Sequence, residues 1–331
     1  MKRVKPKTAM LAAAWVLLLL AACAMPEPPT RTALVYGVST YVETWNGDGP
    51  PNYIPSPNLS LTDDDAADMS SMLSAKGWDT SRTRIADTTD PMVNAMASKT
   101  QIAADIESLA GTEGLVLFYY SGHGDIINGE SAICPYGSID PNPTYTSYTL
   151  VPEKYITVSE LNAMFKSAGL KNVVVILDSC FSGGFVDEGA TADAVPPIFE
   201  PGTYSGDISY TWFVNALGDS IAGYLSYSSD SNYVVISASG ARELSWESGT
   251  YGHGIFTYLI LRAASGDADY DNDGYVTTTE LYAYCEVNFS QVWNNANDDY
   301  LVEVFIDEYQ NADYLPHLSG TAREYALWAA D

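Results

Sequence analysis

Positive charge is scarce in this chain: 15 Lys and Arg stand against 42 Asp and Glu in 331 residues, a formal net charge of −27, and there are only three histidines. A protein that grips nucleic acid must neutralise phosphates with cations, so that class of partner is excluded. A cationic ligand, a divalent metal or a basic peptide suits such a field better. Charge of either sign is also sparse, 17% of residues against 47% hydrophobic, which excludes a disordered polyanion. No short repeat orders the glycines, prolines and tyrosines, which excludes collagen, coiled coil and solenoid arrays. Cysteine is rare as well. Of four, Cys23 lies in the N-terminal apolar stretch, leaving Cys134, Cys180 and Cys285. That is too few for a disulfide scaffold, and the odd number leaves at least one thiol free. Cys285 shares an apolar helical face with Leu281, Phe289 and Val292 and reads as a small core residue. Cys134 sits in a Gly/Pro-rich loop, and its pairing with Cys285 stays open.

The first residues are set apart from the fold. Lys2, Arg3, Lys5 and Lys7 precede an unbroken apolar run from Ala9 to Met25, shorter than the ~20 residues that span a bilayer comfortably. Residues 1–22 read as a signal peptide. Leu20-Ala21-Ala22-Cys23 resembles a bacterial lipobox, which implies lipidation at Cys23, a tether over 23–30, and a bacterial envelope location with the outer membrane favoured. The membrane would then be touched through the lipid only. An uncleaved anchor or a plain secretory signal are the alternatives.

Short apolar runs at Ala33–Val38, Leu115–Tyr120, Val173–Leu177 and Tyr233–Ser237, with a weaker one at Val302–Ile306, read as strands buried on both faces. Helical stripes alternate with them: Ala66, Met69, Met72 and Leu73; Ile102, Ile106 and Leu109; Leu161, Met164, Phe165 and Ala168. The class is therefore α/β, a mostly parallel sheet flanked by helices. Residues 186–232, rich in Gly, Pro, Ser and Asp, interrupt the rhythm as an insertion.

Two of these strands run into reactive groups. Leu115–Tyr120 leads into Ser121-Gly122-His123-Gly124, and Val173–Leu177 leads into Asp178-Ser179-Cys180-Phe181-Ser182-Gly183. In open α/β sheets, chemistry gathers beyond the carboxyl ends of strands. A thiol and an imidazole placed there are the parts of a cysteine nucleophile site. With the opening strand, Asp64-Asp65-Ala66 before the first helix, and Gly252-His253-Gly254-Ile255-Phe256-Thr257 late in the chain, these motifs resemble the caspase-like cysteine peptidases, the group of caspases, metacaspases and bacterial relatives. The resemblance covers residues 31–320, leaving 321–331 as a tail, and implies a three-layer sandwich.

It also implies roles. His123 would deprotonate Cys180 and then protonate the leaving amine, and the Gly124 and Cys180 N–H groups would form the oxyanion hole. The metacaspase pocket for the residue before the scissile bond (P1) maps onto Asp65, Ser121 and Asp178. A carboxylate at Asp178 repels acidic side chains and can pair a guanidinium bidentately, so a peptide or protein substrate with Arg or Lys at P1 is expected. Because no Lys or Arg lies between Lys171 and Arg242, such an enzyme cannot cut its own insertion. His253 is the rival histidine, set aside because it precedes a helix rather than ending a strand. A catalytically silent binding module, and a legumain-like or gingipain-like peptidase with another pocket, are the competing expectations.

No cofactor is required for this chemistry, but Ca2+ is a candidate. Asp269, Asp271, Asp273, Gly274, Tyr275 and Glu280 match positions of an EF-hand loop, with an oxygen at every second residue and glycine at the sharp turn. Thr277-Thr278-Thr279-Glu280 also reads as a capping box that would start the next helix without metal.

Overall fold

The computed structural model describes residues 30–46, 56–127, 130–181, 232–238, 247–296, 317–319 and 324–330. The signal-peptide segment, most of the 186–232 insertion and the weak strand at 302–306 lie outside them. In chain order the elements that build the site are β1 (Arg31–Val38), α1 (Thr62–Ala75), β2 (Asp79–Ala86), α2 (Lys99–Glu107), β3 (Leu115–Ile127), β4 (Glu130–Ile133), β5 (Ile156–Thr157), α3 (Val158–Ser167), β6 (Asn172–Phe181), β7 (Asn232–Ser237), β8 (Glu247–Ser248), β9 (His253–Gly254), α4 (Ile255–Arg262), β10 (Tyr275–Thr277), α5 (Thr278–Ala296), β11 (His317–Ser319) and β12 (Ala326–Ala329).

The main sheet runs β11-β7-β6-β3-β1-β2. β2, β1, β3, β6 and β7 are parallel, β11 is antiparallel at one edge, and β4 and β5 extend the carboxyl end of β3. Both faces are buried, as continuous apolar strands require. Alternate residues supply the two cores. Leu34, Tyr36, Val116, Phe118, Val173 and Val175 pack with Ile102, Ile106, Leu161 and Phe165 of α2 and α3. Ala33, Val35, Leu117, Tyr119, Val174 and Ile176 pack with Ala66, Met69, Leu259, Ile260 and Leu281 of α1, α4 and α5. Helix, sheet, helix is the three-layer α/β sandwich expected. The handedness rule accounts for which helix lies where. The β1-to-β2 crossover steps one way along the sheet and the β3-to-β6 crossover steps the other way, so right-handed connections place α1 and α3 on opposite faces.

One open pairing is decided and two expectations are corrected. Cys134 and Cys285 are both free and buried, and they lie in different cores with the sheet between them, so no disulfide joins them. The packed unit does not end at 320. β12 pairs antiparallel with β10, Leu327 and Trp328 are fully buried, and Trp78 Nε1 donates to Leu327 O at 2.9 Å. The apolar Ala-Leu-Trp-Ala run explains this, because leaving that surface in water costs more than pairing it. Lastly, the two motifs do not turn away from their strands. β3 and β6 stay in register through Gly124 and Phe181, since β4 and β6 pair with the backbone of β3 where a loop was expected.

Candidate active site

Strand order reverses around β1 and β3, and a crevice beyond the carboxyl ends of the strands is where such folds place ligands. The register there is direct. Ser121 lies opposite Asp178, and His123 lies opposite Cys180, on neighbouring parallel strands that run about 4.8 Å apart. Fifty-seven positions of sequence are closed to one inter-strand step. Gly124, the expected second donor of the oxyanion hole, follows in the same ladder opposite Phe181.

His123 is buried and held on several sides. Its Nε2 lies 2.8 Å from the Pro57 carbonyl. A carbonyl can only accept, so Nε2 carries the proton and Nδ1 keeps the lone pair in the neutral ring. The His123 amide donates to Tyr41 Oη at 2.8 Å, and the Tyr41 ring lies 4.7 Å from the imidazole, centroid to centroid. The Tyr120 hydroxyl reaches the His123 and Cys134 carbonyls at 3.1 and 2.7 Å. Asn58 in turn fixes the loop, accepting from the Tyr41 and Val42 amides at 2.8 and 2.9 Å. Burial pushes the imidazole down to about 4, against a smaller upward pull from the Pro57 carbonyl. At neutral pH the ring is thus uncharged and able to take a proton.

Asp65, Ser121 and Asp178, predicted as one pocket, come together, all buried. Asp65 sits in the first turn of α1, where the helix dipole favours a negative charge. Its Oδ2 accepts from Ser121 Oγ at 2.8 Å, and its Oδ1 accepts from the Gly254 amide at 3.0 Å and lies 3.0 Å from His253 Nδ1. Asp178 Oδ2 accepts from the Thr257 amide at 3.1 Å and from Thr257 Oγ1 at 2.6 Å. Since Thr257 Oγ1 spends its proton on Asp178, the Tyr119 hydroxyl 2.6 Å away must donate to it. Burial raises Asp65 to about 7, and the neighbouring Asp178 charge adds to that, while the His253, Ser121 and Gly254 donors oppose it.

Sequence reasoning missed several of these partners. Pro57 and Tyr41 act on His123 from a loop with no recognisable motif. Glu247 on β8 accepts from the Ser60 and Leu61 amides at 3.1 and 2.8 Å, satisfying the start of α1, which has no side-chain cap of its own. Thr257 was visible only as part of the Gly252–Thr257 run, and His253 only there and as a rival to His123.

At the acidic turn, Asp269, Asp271 and Asp273 bring one carboxylate oxygen each within 4.8 Å of one another. Glu280 is engaged elsewhere. Its Oε1 accepts from the Tyr270 and Asp271 amides at 2.9 and 3.3 Å, and its Oε2 accepts from the Thr277 amide and hydroxyl, both at 3.0 Å. Tyr275 opens β10. The structure therefore assembles the three aspartates, while the glutamate closes the capping box and clasps the loop.

The Caspase domain model of the Peptidase_C14 family matches residues 30–291. Among solved structures, the chain is similar to protein GSU0716 from Geobacter sulfurreducens, with 16% identity over 77% of this chain and 88% of that one and a TM-score of 0.41. It is also similar to caspase-1 from Spodoptera frugiperda, with 12% identity over 93% of each chain and a TM-score of 0.43. No curated protein matches the sequence.

Proposed function

The chain belongs to the caspase-domain family, and we propose that within it the protein is a cysteine endopeptidase that cleaves after Arg or Lys. The supporting observation is the pairing of His123 with Cys180 across β3 and β6, with the imidazole proton committed to Pro57. A thiol of pKa ~8.5 is only a few per cent thiolate near neutrality. His123 Nδ1 takes the Cys180 proton, and the thiolate attacks the substrate carbonyl. The Gly124 and Cys180 amides stabilise the oxyanion, a donor typically being worth ~10²–10³ in rate. The imidazolium then gives its proton to the departing amine. Water, deprotonated by the same ring, hydrolyses the acyl-enzyme and frees Cys180.

Asp65, Ser121 and Asp178 hold the cationic P1 side chain, as charge complementarity requires. Peptides differing only at P1 test this reading. Cleavage after Arg, lost in Cys180→Ala and reduced about 100-fold or more in kcat/KM by Asp178→Asn, is expected; equal cleavage after Asp or a neutral residue refutes it. Covalent labelling by an Arg-directed electrophile, absent in Cys180→Ala, separates a peptidase from a silent binding module. The proposal includes a bacterial-envelope location through a lipid on Cys23. Incorporation of labelled palmitate that is abolished by Cys23→Ala is the expected result.

A further inference from the structure

His253 lies outside the dyad, yet it is built into the acidic cluster. Its Nδ1 is 3.0 Å from Asp65 Oδ1 and its Nε2 is 3.4 Å from Asp68 Oδ2, with 13% of the side chain exposed. β9 holds the ring there. His253 pairs with Ser248 and Gly254 with Glu247 across the β8–β9 hairpin, and the Gly254 amide binds the same Asp65 oxygen that faces the ring. The glycine is needed, since a side chain at 254 would collide with Asp178 and crowd Asp65. Carboxylates of α1 face the imidazole, and further acidic groups adjoin its immediate neighbours. Asp64, Asp65 and Asp68 face it from α1, Asp178 adjoins Asp65 from β6, Glu247 lies across the hairpin, and the Tyr119 hydroxyl stands behind Thr257 and Asp178.

We propose that His253 is a specificity-determining residue: its imidazolium is the resident counter-cation of Asp65, and a cationic P1 side chain binds by taking over that place while the imidazole releases its proton to solvent. The inference rests on the basic-P1 reading above. It explains how a buried carboxylate can be kept as an anion when no substrate is present, because an uncompensated buried charge would neutralise itself instead. The bond to Asp65 holds His253 above its ordinary value against the opposing effect of burial, so the ring keeps its proton to higher pH than a free imidazole while it faces that carboxylate. Linkage is reciprocal: a guanidinium at Asp65 must lower the proton affinity of His253, and a protonated His253 must weaken the guanidinium.

The three histidines, His123, His253 and His317, make a direct test practical. Imidazole signals of the full-length protein are followed by NMR from pH 5 to 9, with and without saturating benzamidine as the probe for a cationic P1 group. His253→Gln assigns the His253 signal, and His317→Gln assigns it by elimination should the first variant not fold. The His253 midpoint is expected to fall by about one pH unit on saturation, a tenfold loss of proton affinity, with benzamidine binding more tightly as pH rises through that midpoint. Benzamidine that competes with an Arg-P1 substrate yet leaves the His253 titration unmoved overturns the inference and leaves the basic-P1 reading standing. Benzamidine that binds at no pH overturns that reading and the inference with it.

Discussion

Replacing Gly254 by alanine adds one methyl group at the point where both pocket carboxylates meet the main chain. The backbone there (φ −55°, ψ 140°) is one that alanine adopts freely, so the cost is contact and not conformation. The new Cβ would lie 3.0 Å from Asp65 Oδ2 and would overlap Asp178 Oδ2 outright. Asp178 has little room to yield, because its Oδ2 is held by the Thr257 amide and hydroxyl at 3.1 and 2.6 Å. Moving the carboxylate by about 1 Å would break those bonds. Hydrogen bonds to a charged group are worth ~1.5–3 kcal/mol each and overpacking costs ~1–3 kcal/mol. With partial relaxation, a loss of about 3 kcal/mol is expected, on the order of 5–10 °C in Tm for a domain of this size. Gly249→Ala is the internal control. It is five residues away, beside the same hairpin, with nothing within 4 Å of its Cβ, and should be neutral or gain ~0.4–1 kcal/mol. Urea unfolding of the two variants checks the pair. Equal midpoints would refute the idea that the two carboxylates close on Gly254.

Stability should depend on His123 with a definite sign. Its folded value, about 4, lies below the ordinary ~6.5, so its contribution is present above 6.5 and lost as pH falls through about 4, on the order of 3 kcal/mol. His123→Gln keeps a donor for Pro57 without titrating, and its urea stability relative to wild type should improve by that amount between pH 7 and pH 4. Trp328→Ala empties a fully buried site and should cost ~3–5 kcal/mol, whereas a true tail would show no change. Burial raises both Cys134 and Cys285 above the ordinary thiol range. A thiol reagent should therefore modify those two only after urea is added, and non-reducing gels should show no intramolecular crosslink between them.

The strands that were legible, β1, β3, β6 and β7, are the ones buried on both faces, because only there does burial force a continuous apolar run. β2 escaped notice for the opposite reason. Asp79, Thr80, Ser81, Arg82, Thr83 and Arg84 lie on an edge strand, with only Ala86 fully buried, so its place is set by pairing with β1 and not by composition. Ser121–Gly124 was placed beyond the end of its strand, yet pairing with partners on both sides keeps that segment in the ladder. In the site, Asp65, Ser121 and Asp178 were found through motifs that lie on strand ends or a helix start. Pro57 contributes a carbonyl and Glu247 accepts backbone amides, and neither leaves a residue-type signature. Cys134 and Cys285 had the right chemistry to pair, but a sheet separates them, which spacing along a chain does not reveal.

The order of elements along the polymer has a consequence for proteolysis by other enzymes. His123 and Cys180 both precede residue 182, whereas Glu247, His253, Gly254 and Thr257 all follow residue 231. A nick anywhere in that interval would leave His123 and Cys180 on one fragment, joined by ten rungs of parallel ladder, and would put His253, Gly254 and Thr257, which contact Asp65 and Asp178, on the other. Asp65, Ser121 and Asp178 would stay beside His123 and Cys180, but the two carboxylates would depend on a second polypeptide for the Gly254 and Thr257 donors that hold them, and on its Leu259, Ile260 and Leu281 for half of one core.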